Sequence, residues 1–266
     1  MIMKVGYLQF DPVFGEVKRN LDSVAQRLER ADCDLMVLPE LFASGYQFVA
    51  SDEVAQLAES IPDGPTTQRL LEVARARRML IVGGLPERGV DGHYNSAVLV
   101  GPDGIVGVYR KSHLFFEETI WFRPGDTGFQ VWEVDGVKIG LMICFDWYYP
   151  EAARTLALKG ADIICHPSNL VLPNCPDSMP TRCLENRVFA ITANRIGTEA
   201  RGGKRPLTFI GSSEVVDPRG QLLRRAGRDQ EDLGVVEIDP IESRNKLINP
   251  YNDLLSGRRP ELYGRD

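Results

Sequence analysis

Three apolar runs in this chain each end on a residue able to take part in chemistry. Leu35-Met36-Val37-Leu38 closes on Pro39-Glu40, Ile105 to Tyr109 closes on Arg110-Lys111, and Val137 to Ile143 closes on Cys144. A thiol, a carboxylate and an ammonium, each at a strand end before a turn, supply a nucleophile, a proton acceptor and an electrophilic clamp. Cys144 precedes Phe145-Asp146-Trp147-Tyr148-Tyr149-Pro150-Glu151, a strand-to-helix junction where aligned backbone dipoles favour a thiolate and free N–H groups can hold an oxyanion. Taken singly, each residue has a plainer reading. A free cysteine is often a small buried hydrophobe, a carboxylate after a strand often caps a turn, and two adjacent basic residues often mark a solvated strand end. It is the set that favours catalysis.

Other polar residues rank lower. Asn169, just beyond the apolar segment Ile163 to Cys165, is a pocket candidate because its amide both donates and accepts, while Phe115 and Trp147 are candidates for an apolar substrate lining. His93, His113 and His166 lack paired metal spacing and are assigned hydrogen-bonded structural roles, with His113 the main rival base in a Cys–His scheme. Cys165 is assigned to the core, and Cys175 and Cys183 to the neighbourhood of the site entrance without chemistry. No metal and no cofactor is called for.

The elements that must position these groups follow from periodicity. Lys4 to Phe10 reads as a strand, and Asn20 to Arg30 as a helix with Leu21, Val24, Ala25 and Leu28 on one face and Asn20 as N-cap. Leu57 to Arg77 supplies a second helical stretch starting near Gly64-Pro65-Thr66, and Met79 to Val82 a strand before Gly83-Gly84. Three hairpins follow, turning at Gly101-Pro102-Asp103-Gly104, Asp135-Gly136 and Asp217-Pro218-Arg219-Gly220. An internal echo links Ala31-Asp32, leading into Pro39-Glu40, with Ala161-Asp162, leading into Pro167-Ser168. Read as parallel neighbours in one mixed sheet, the two strands would open their carboxyl ends on one edge.

Composition narrows the classes of function. The 266 residues carry 31 Lys and Arg against 37 Asp and Glu, a net charge of −6, so no basic field exists for a phosphate backbone and nucleic acid is excluded as the main partner. No apolar run reaches bilayer length, which excludes a membrane role. Five cysteines without a CxxC pair argue against a disulfide framework and fit a reducing cytoplasm. No linker or low-complexity segment divides the chain, so residues 1–266 are expected to form a single domain around a small-molecule site.

Leu38-Pro39-Glu40-Leu41-Phe42, Tyr109-Arg110-Lys111-Ser112-His113-Leu114-Phe115 and Met142-Ile143-Cys144-Phe145-Asp146-Trp147-Tyr148-Tyr149-Pro150-Glu151 together resemble the three signature segments of the nitrilase superfamily of carbon–nitrogen hydrolases, in order and spacing. The resemblance runs on through Leu184-Glu185-Asn186-Arg187, Ala193-Asn194-Arg195, Phe209-Ile210-Gly211-Ser212-Ser213 and Val236-Glu237-Ile238-Asp239. It implies an α/β fold, a four-layer α-β-β-α sandwich with two mixed sheets, and a homodimer or higher homo-oligomer, for which Trp147-Tyr148-Tyr149 would offer aromatic surface. It places the catalytic triad on Glu40, Lys111 and Cys144, oxyanion stabilisation on the Phe145 backbone N–H, and the family's additional glutamate within Phe116-Glu117-Glu118, with Glu118 preferred over Glu117. Cys144-Phe145-Asp146-Trp147 is closer to the amidase and N-carbamoyl-amine hydrolase patterns than to those of many nitrilases. The resemblance therefore implies hydrolysis of a small primary carboxamide, with a nitrile or an N-carbamoyl amine as alternatives and a silent binding scaffold as the non-enzymatic one.

Overall fold

The computed structural model describes residues 2–264. In the first half, β1 (Met3–Gln9) leads to α1 (Val17–Leu28), β2 (Leu35–Val37), α2 (Ser51–Leu57), α3 (Pro65–Arg77), β3 (Leu80–Arg88), β4 (His93–Gly101) and β5 (Gly104–Arg110). A short helix, α4 (Glu118–Trp121), joins this half to β6 (Val131–Val134) and β7 (Val137–Leu141). A 3₁₀ turn (Cys144–Tyr148), α5 (Pro150–Leu158), β8 (Ile163–Pro167), α6 (Asn174–Asn186) and β9 (Phe189–Ala193) follow. The chain then forms the small hairpin β10 (Thr198–Glu199) and β11 (Leu207–Thr208), the strands β12 (Glu214–Val216), β13 (Leu222–Arg225) and β14 (Asp232–Ile238), and a terminal hairpin of β15 (Leu247–Asn249) and β16 (Asn252–Asp253).

Two six-stranded mixed sheets result, ordered β14-β1-β2-β3-β4-β5 and β13-β12-β9-β8-β7-β6. Side-chain alternation separates their faces. Val5, Tyr7, Leu35, Val37, Val82 and Leu99 join Ile139, Leu141, Ile163, Cys165 and Ile191 in the core shared by the two sheets. From the same strands, Leu8, Met36, Leu38, Ile81, Val98 and Val100 face the other way and pack on Leu21, Val24 and Leu28 of α1 and Leu70, Val73 and Ala74 of α3. With α5 and α6 covering the second sheet, the architecture is the expected α-β-β-α sandwich.

The two sheets repeat one pattern. From β14 or β6, each runs antiparallel, parallel, parallel, antiparallel, antiparallel. The echo in the sequence reflects this repeat and corrects the expectation drawn from it. β2 and β8 are not neighbours in one sheet; they hold the same place in two sheets, each already hydrogen-bonded on both sides, β2 by β1 and β3, and β8 by β7 and β9. Their carboxyl ends nevertheless meet across the sandwich, where Asn169 Nδ2 donates to the Glu40 carbonyl at 2.9 Å.

Local expectations change in two places. Asn20 is not the N-cap of α1, which begins at Val17. It is buried in the first turn, accepting from the Val13 N–H at 2.9 Å and donating to the carbonyls of Val13 and Ala43, both at 2.8 Å, and so ties the loop before the helix and the turn after Glu40 to α1. The strand starting near Met79 does not stop at Gly83-Gly84 but continues to Arg88. A Cβ on Gly84 would lie 2.7 Å from both Glu40 Cα and Leu41 N, so the bare glycine lets the Glu40 turn rest directly on β3.

Candidate active site

Glu40 lies just past β2, where the Leu38 N–H still bonds to the Val82 carbonyl at 2.8 Å and the chain then turns through Leu41, φ +49°. Lys111 follows β5, its N–H donating to the Asn95 carbonyl and its own carbonyl accepting from the Gly125 N–H, each at 2.8 Å. Both side chains are fully buried, and Glu118 at the start of α4 is nearly so. Lys111 Nζ is 2.7 Å from Glu40 Oε1 and 2.8 and 2.7 Å from the two Glu118 oxygens. Asn95 Nδ2 donates to Glu40 Oε1 at 2.7 Å, and the Tyr46 hydroxyl to Glu118 Oε1 at 2.6 Å. Tyr46 is held in turn by its backbone N–H, which donates to the buried Glu199 carboxyl at 3.1 Å.

A charge cluster of this kind is tolerable out of water only when its members satisfy one another. Burial alone would lower the Lys111 ammonium, but Glu118 and Glu40 outweigh it and hold the charge. Burial pushes Glu40 up to about 7, with Glu118 adding to the rise and Lys111 and Asn95 opposing it. The other Glu40 oxygen, Oε2, is buried and accepts no hydrogen bond.

Cys144 opens the 3₁₀ turn with φ +41°, an uncommon conformation for a residue with a side chain and the kind of local strain that collects at functional turns. Asp146, fully buried, braces it. One oxygen accepts the Ile143 N–H at 2.9 Å and the Tyr109 hydroxyl at 2.7 Å; the other accepts the His113 N–H at 3.1 Å and lies 2.7 Å from His113 Nδ1. Asp146 thereby ties the nucleophile turn to both ends of the segment that carries Lys111. On the opposite side, His166 Nε2 lies 2.9 Å from the Cys144 carbonyl; that nitrogen must carry the proton, since a carbonyl only accepts. Burial lowers His166 to about 4, so the imidazole is neutral.

The thiol itself differs from the sequence expectation. Burial and the Glu40 charge push the Cys144 thiol well above its ordinary range, against opposing effects of Lys111 and the Asn169 backbone N–H. No long helix starts at Cys144, because α5 begins only at Pro150 and a 3₁₀ turn intervenes. These surroundings favour the neutral thiol over a preformed thiolate.

A narrow chamber of about 20 Å³, room for about one water-sized group, lies against Cys144 and is walled by Phe115, Phe145, Trp147, Asn169, Val171 and Leu172 among others. Asn169 is oriented by its bond to the Glu40 carbonyl, which leaves Oδ1 buried and without a hydrogen-bond partner. Glu118 joins the cluster and Glu117 does not; its carboxyl pairs with Lys204 at 2.7 Å. His113 is committed to Asp146 and stacks on Tyr149 with ring centroids 3.7 Å apart. Cys175 and Cys183 are not at the entrance: both are completely buried in α6, on its face toward the core. Among the described residues no group of three His, Cys, Asp or Glu side chains is arranged to hold a metal.

A sandwich of two mixed sheets with a buried cysteine, lysine and glutamate at the ends of their strands defines a carbon–nitrogen hydrolase. The chain belongs to that family: the carbon–nitrogen hydrolase family model matches residues 4–245. It is 47% identical over 267 residues to a nitrilase of Pyrococcus abyssi, covering 99% of this chain and 100% of that protein. It is 39% identical over 268 residues to an (R)-stereoselective amidase of a Pseudomonas species, covering 98% and 93%. The crystal structure of a carbon–nitrogen hydrolase from Helicobacter pylori G27 superposes with a TM-score of 0.90 at 30% identity, covering 99% of this chain and 97% of that one. No helix among the described residues is long and apolar enough to cross a membrane.

Proposed function

We propose that this enzyme hydrolyses small primary carboxamides to the carboxylic acid and ammonia through a thioester on Cys144. Glu40 Oε2 takes the thiol proton as sulfur attacks the carbonyl carbon, and the Lys111 ammonium with the Phe145 backbone N–H stabilises the oxygen that becomes negative. Glu40 returns the proton to nitrogen, the carbon–nitrogen bond breaks, and ammonia leaves. Water, deprotonated by Glu40, then cleaves the thioester and restores the thiol. Glu118 keeps Lys111 charged and positions substrate or water. A carboxyl raised to about 7 suits both directions of proton transfer near neutrality.

The observation that carries the choice of an amide is Asn169. Its Oδ1 is a buried acceptor with no partner beside the nucleophile, and a carboxamide brings an N–H to fill it, whereas a nitrile brings none. Matched amide, nitrile and N-carbamoyl-amine substrates, assayed for ammonia and carboxylic acid, test the reading. The amides are expected to have the highest kcat/KM without added metal or cofactor, and a consistently higher value for the nitriles overturns it.

The reading takes residues 1–266 as one catalytic domain working in the cytoplasm as a homodimer. Exposed Tyr148 and Tyr149 beside the site support pairing. A monomeric mass by light scattering at micromolar concentration, with full activity, counts against the dimer.

A further inference from the structure

The chamber beside Cys144 is too small for more than the reacting group, so the rest of a substrate must lie elsewhere. A second cavity of about 430 Å³ shares Phe115, Val171 and Leu172 with the chamber as walls. Its charged lining consists of Glu117, Lys204 and Arg205. Lys204 and Glu117 cancel, paired at 2.7 Å, and Lys204 Nζ also donates to the Phe48 carbonyl at 3.0 Å and sits 5.0 Å from the Trp121 ring centre. Of the uncharged polar residues, Gln47 is committed at both ends of its amide, donating to the Arg205 carbonyl at 2.9 Å and accepting from the Arg201 N–H at 2.8 Å. Arg205 is therefore held by its backbone carbonyl. Among the described residues its exposed guanidinium has no hydrogen bond or ion pair. It is the one uncompensated charge in the lining of this cavity.

We infer that Arg205 is a specificity-determining residue and that the outer cavity receives a carboxylate at the far end of the substrate. The preferred substrates are then monoamides of dicarboxylic acids, rather than amides with a neutral or cationic tail. This deepens the proposed amidase reading and rests on it. The carboxamide sits in the chamber, a short carbon chain passes the Phe115, Val171 and Leu172 walls, and the carboxylate meets the planar guanidinium, whose paired donors match its two oxygens. The site is open to water, so the charge acts mainly on substrate capture and is screened by salt.

The experiment compares three primary amides of similar length whose far ends are a carboxylate (glutaramate), a methyl group (hexanamide) and an ammonium (5-aminopentanamide), by ammonia release at low and high salt. The expected order of kcat/KM is carboxylate, neutral, cation, with the spread expressed mainly in KM and narrowing at high salt. Arg205→Gln is expected to lower the carboxylate-to-neutral ratio about fivefold, the size of an exposed ion pair, and Arg205→Glu to move the preference toward the cation. Arg30→Gln, at an exposed arginine just past α1, leaves the ratio where it was and serves as the control. If the wild type turns over hexanamide without preferring the carboxylate, or if Arg205→Gln leaves the ratio unchanged, the inference is wrong while the amidase reading stands. If none of the three amides is turned over and the matching nitriles are, the amidase reading itself has failed.

Discussion

The two halves of the sandwich share one strand pattern and treat their polar residues in opposite ways. At the ends of β2 and β5, Glu40 and Lys111 are charged or readily charged, completely buried, and closed into a cluster by Glu118, Asn95 and Tyr46. At the ends of β7 and β8, Cys144 and Asn169 are neutral, set among aromatic and aliphatic walls, and only partly satisfied. The first arrangement resists loss of its cation, because removing Lys111 strands two buried carboxyls. The second stores strain in a positive-φ cysteine and leaves one buried acceptor, Asn169 Oδ1, without a partner beside it. Division of this kind places the group that exchanges protons, Glu40, in one half and the atom that bonds to substrate, Cys144 Sγ, in the other.

The contrast is broken most directly by exchanging one residue from each half. Cys144→Ala removes the bond-forming atom but little volume, so kcat is expected to fall by about 10⁴ or more while unfolding free energy changes by less than about 1 kcal/mol. Lys111→Met removes the cation from between two buried carboxyls, and beyond loss of activity it is expected to cost about 3–5 kcal/mol of stability in urea titrations. Equal destabilisation by the two, or substantial turnover by Cys144→Ala, would mean that the halves are not divided as described.

A second test uses protons. Attack needs Glu40 deprotonated, so kcat/KM is expected to rise with pH through a midpoint near the carboxyl's value of about 7 and then level off. Folding responds in the opposite sense. The folded chain keeps a proton that the unfolded one, with an ordinary value of 4.5, has released, so Glu40 makes folding less favourable as pH rises from 4.5 to about 7. Glu40→Gln is expected to lose about 10²–10⁴ in kcat and also this component of the stability profile, whereas His113→Asn keeps substantial activity. The reverse ranking would restore the Cys–His scheme.

How far these arrangements were legible depends on where the partners come from. Glu40, Lys111 and Cys144 could be picked out because each ends an apolar run. Glu118 was already preferred over Glu117 from the resemblance, and the structure sets the Glu118 carboxyl on Lys111 and that of Glu117 on Lys204. Asn95 and Tyr46 carry no local signal: one reaches Glu40 from β4, two strands away from β2 in the sheet, and the other reaches Glu118 from a loop 72 residues away in sequence. The echo at Ala31 and Ala161 was visible, but a repeat within one sheet and a repeat across two sheets have the same periodicity, and only hydrogen-bonded neighbours tell them apart. Thiolate stabilisation at Cys144 was overestimated because sequence shows a helix downstream but not the 3₁₀ turn or the depth of burial.

The finest test of the division concerns the brace that crosses it. Asp146 comes from the Cys144 turn, yet three of its carboxylate's four hydrogen-bond contacts hold residues flanking Lys111. An asparagine has nearly the same shape but only one accepting end, so Asp146→Asn must present an NH₂ either to the Ile143 N–H or to the His113 N–H, leaving a buried donor unpaired at a cost of about 1–3 kcal/mol. If the carboxylate only fills space and satisfies donors, Asp146→Asn lowers stability and nothing else. If it holds the strained Cys144 in register with Lys111, kcat is expected to fall several-fold with KM little changed, and iodoacetamide is expected to alkylate Cys144 more slowly than in the wild type at the same pH. Wild-type alkylation and kcat in a destabilised but folded Asp146→Asn protein would reduce the link between the halves to packing, because the hydrogen bonds would then have no bearing on how the thiol meets its base.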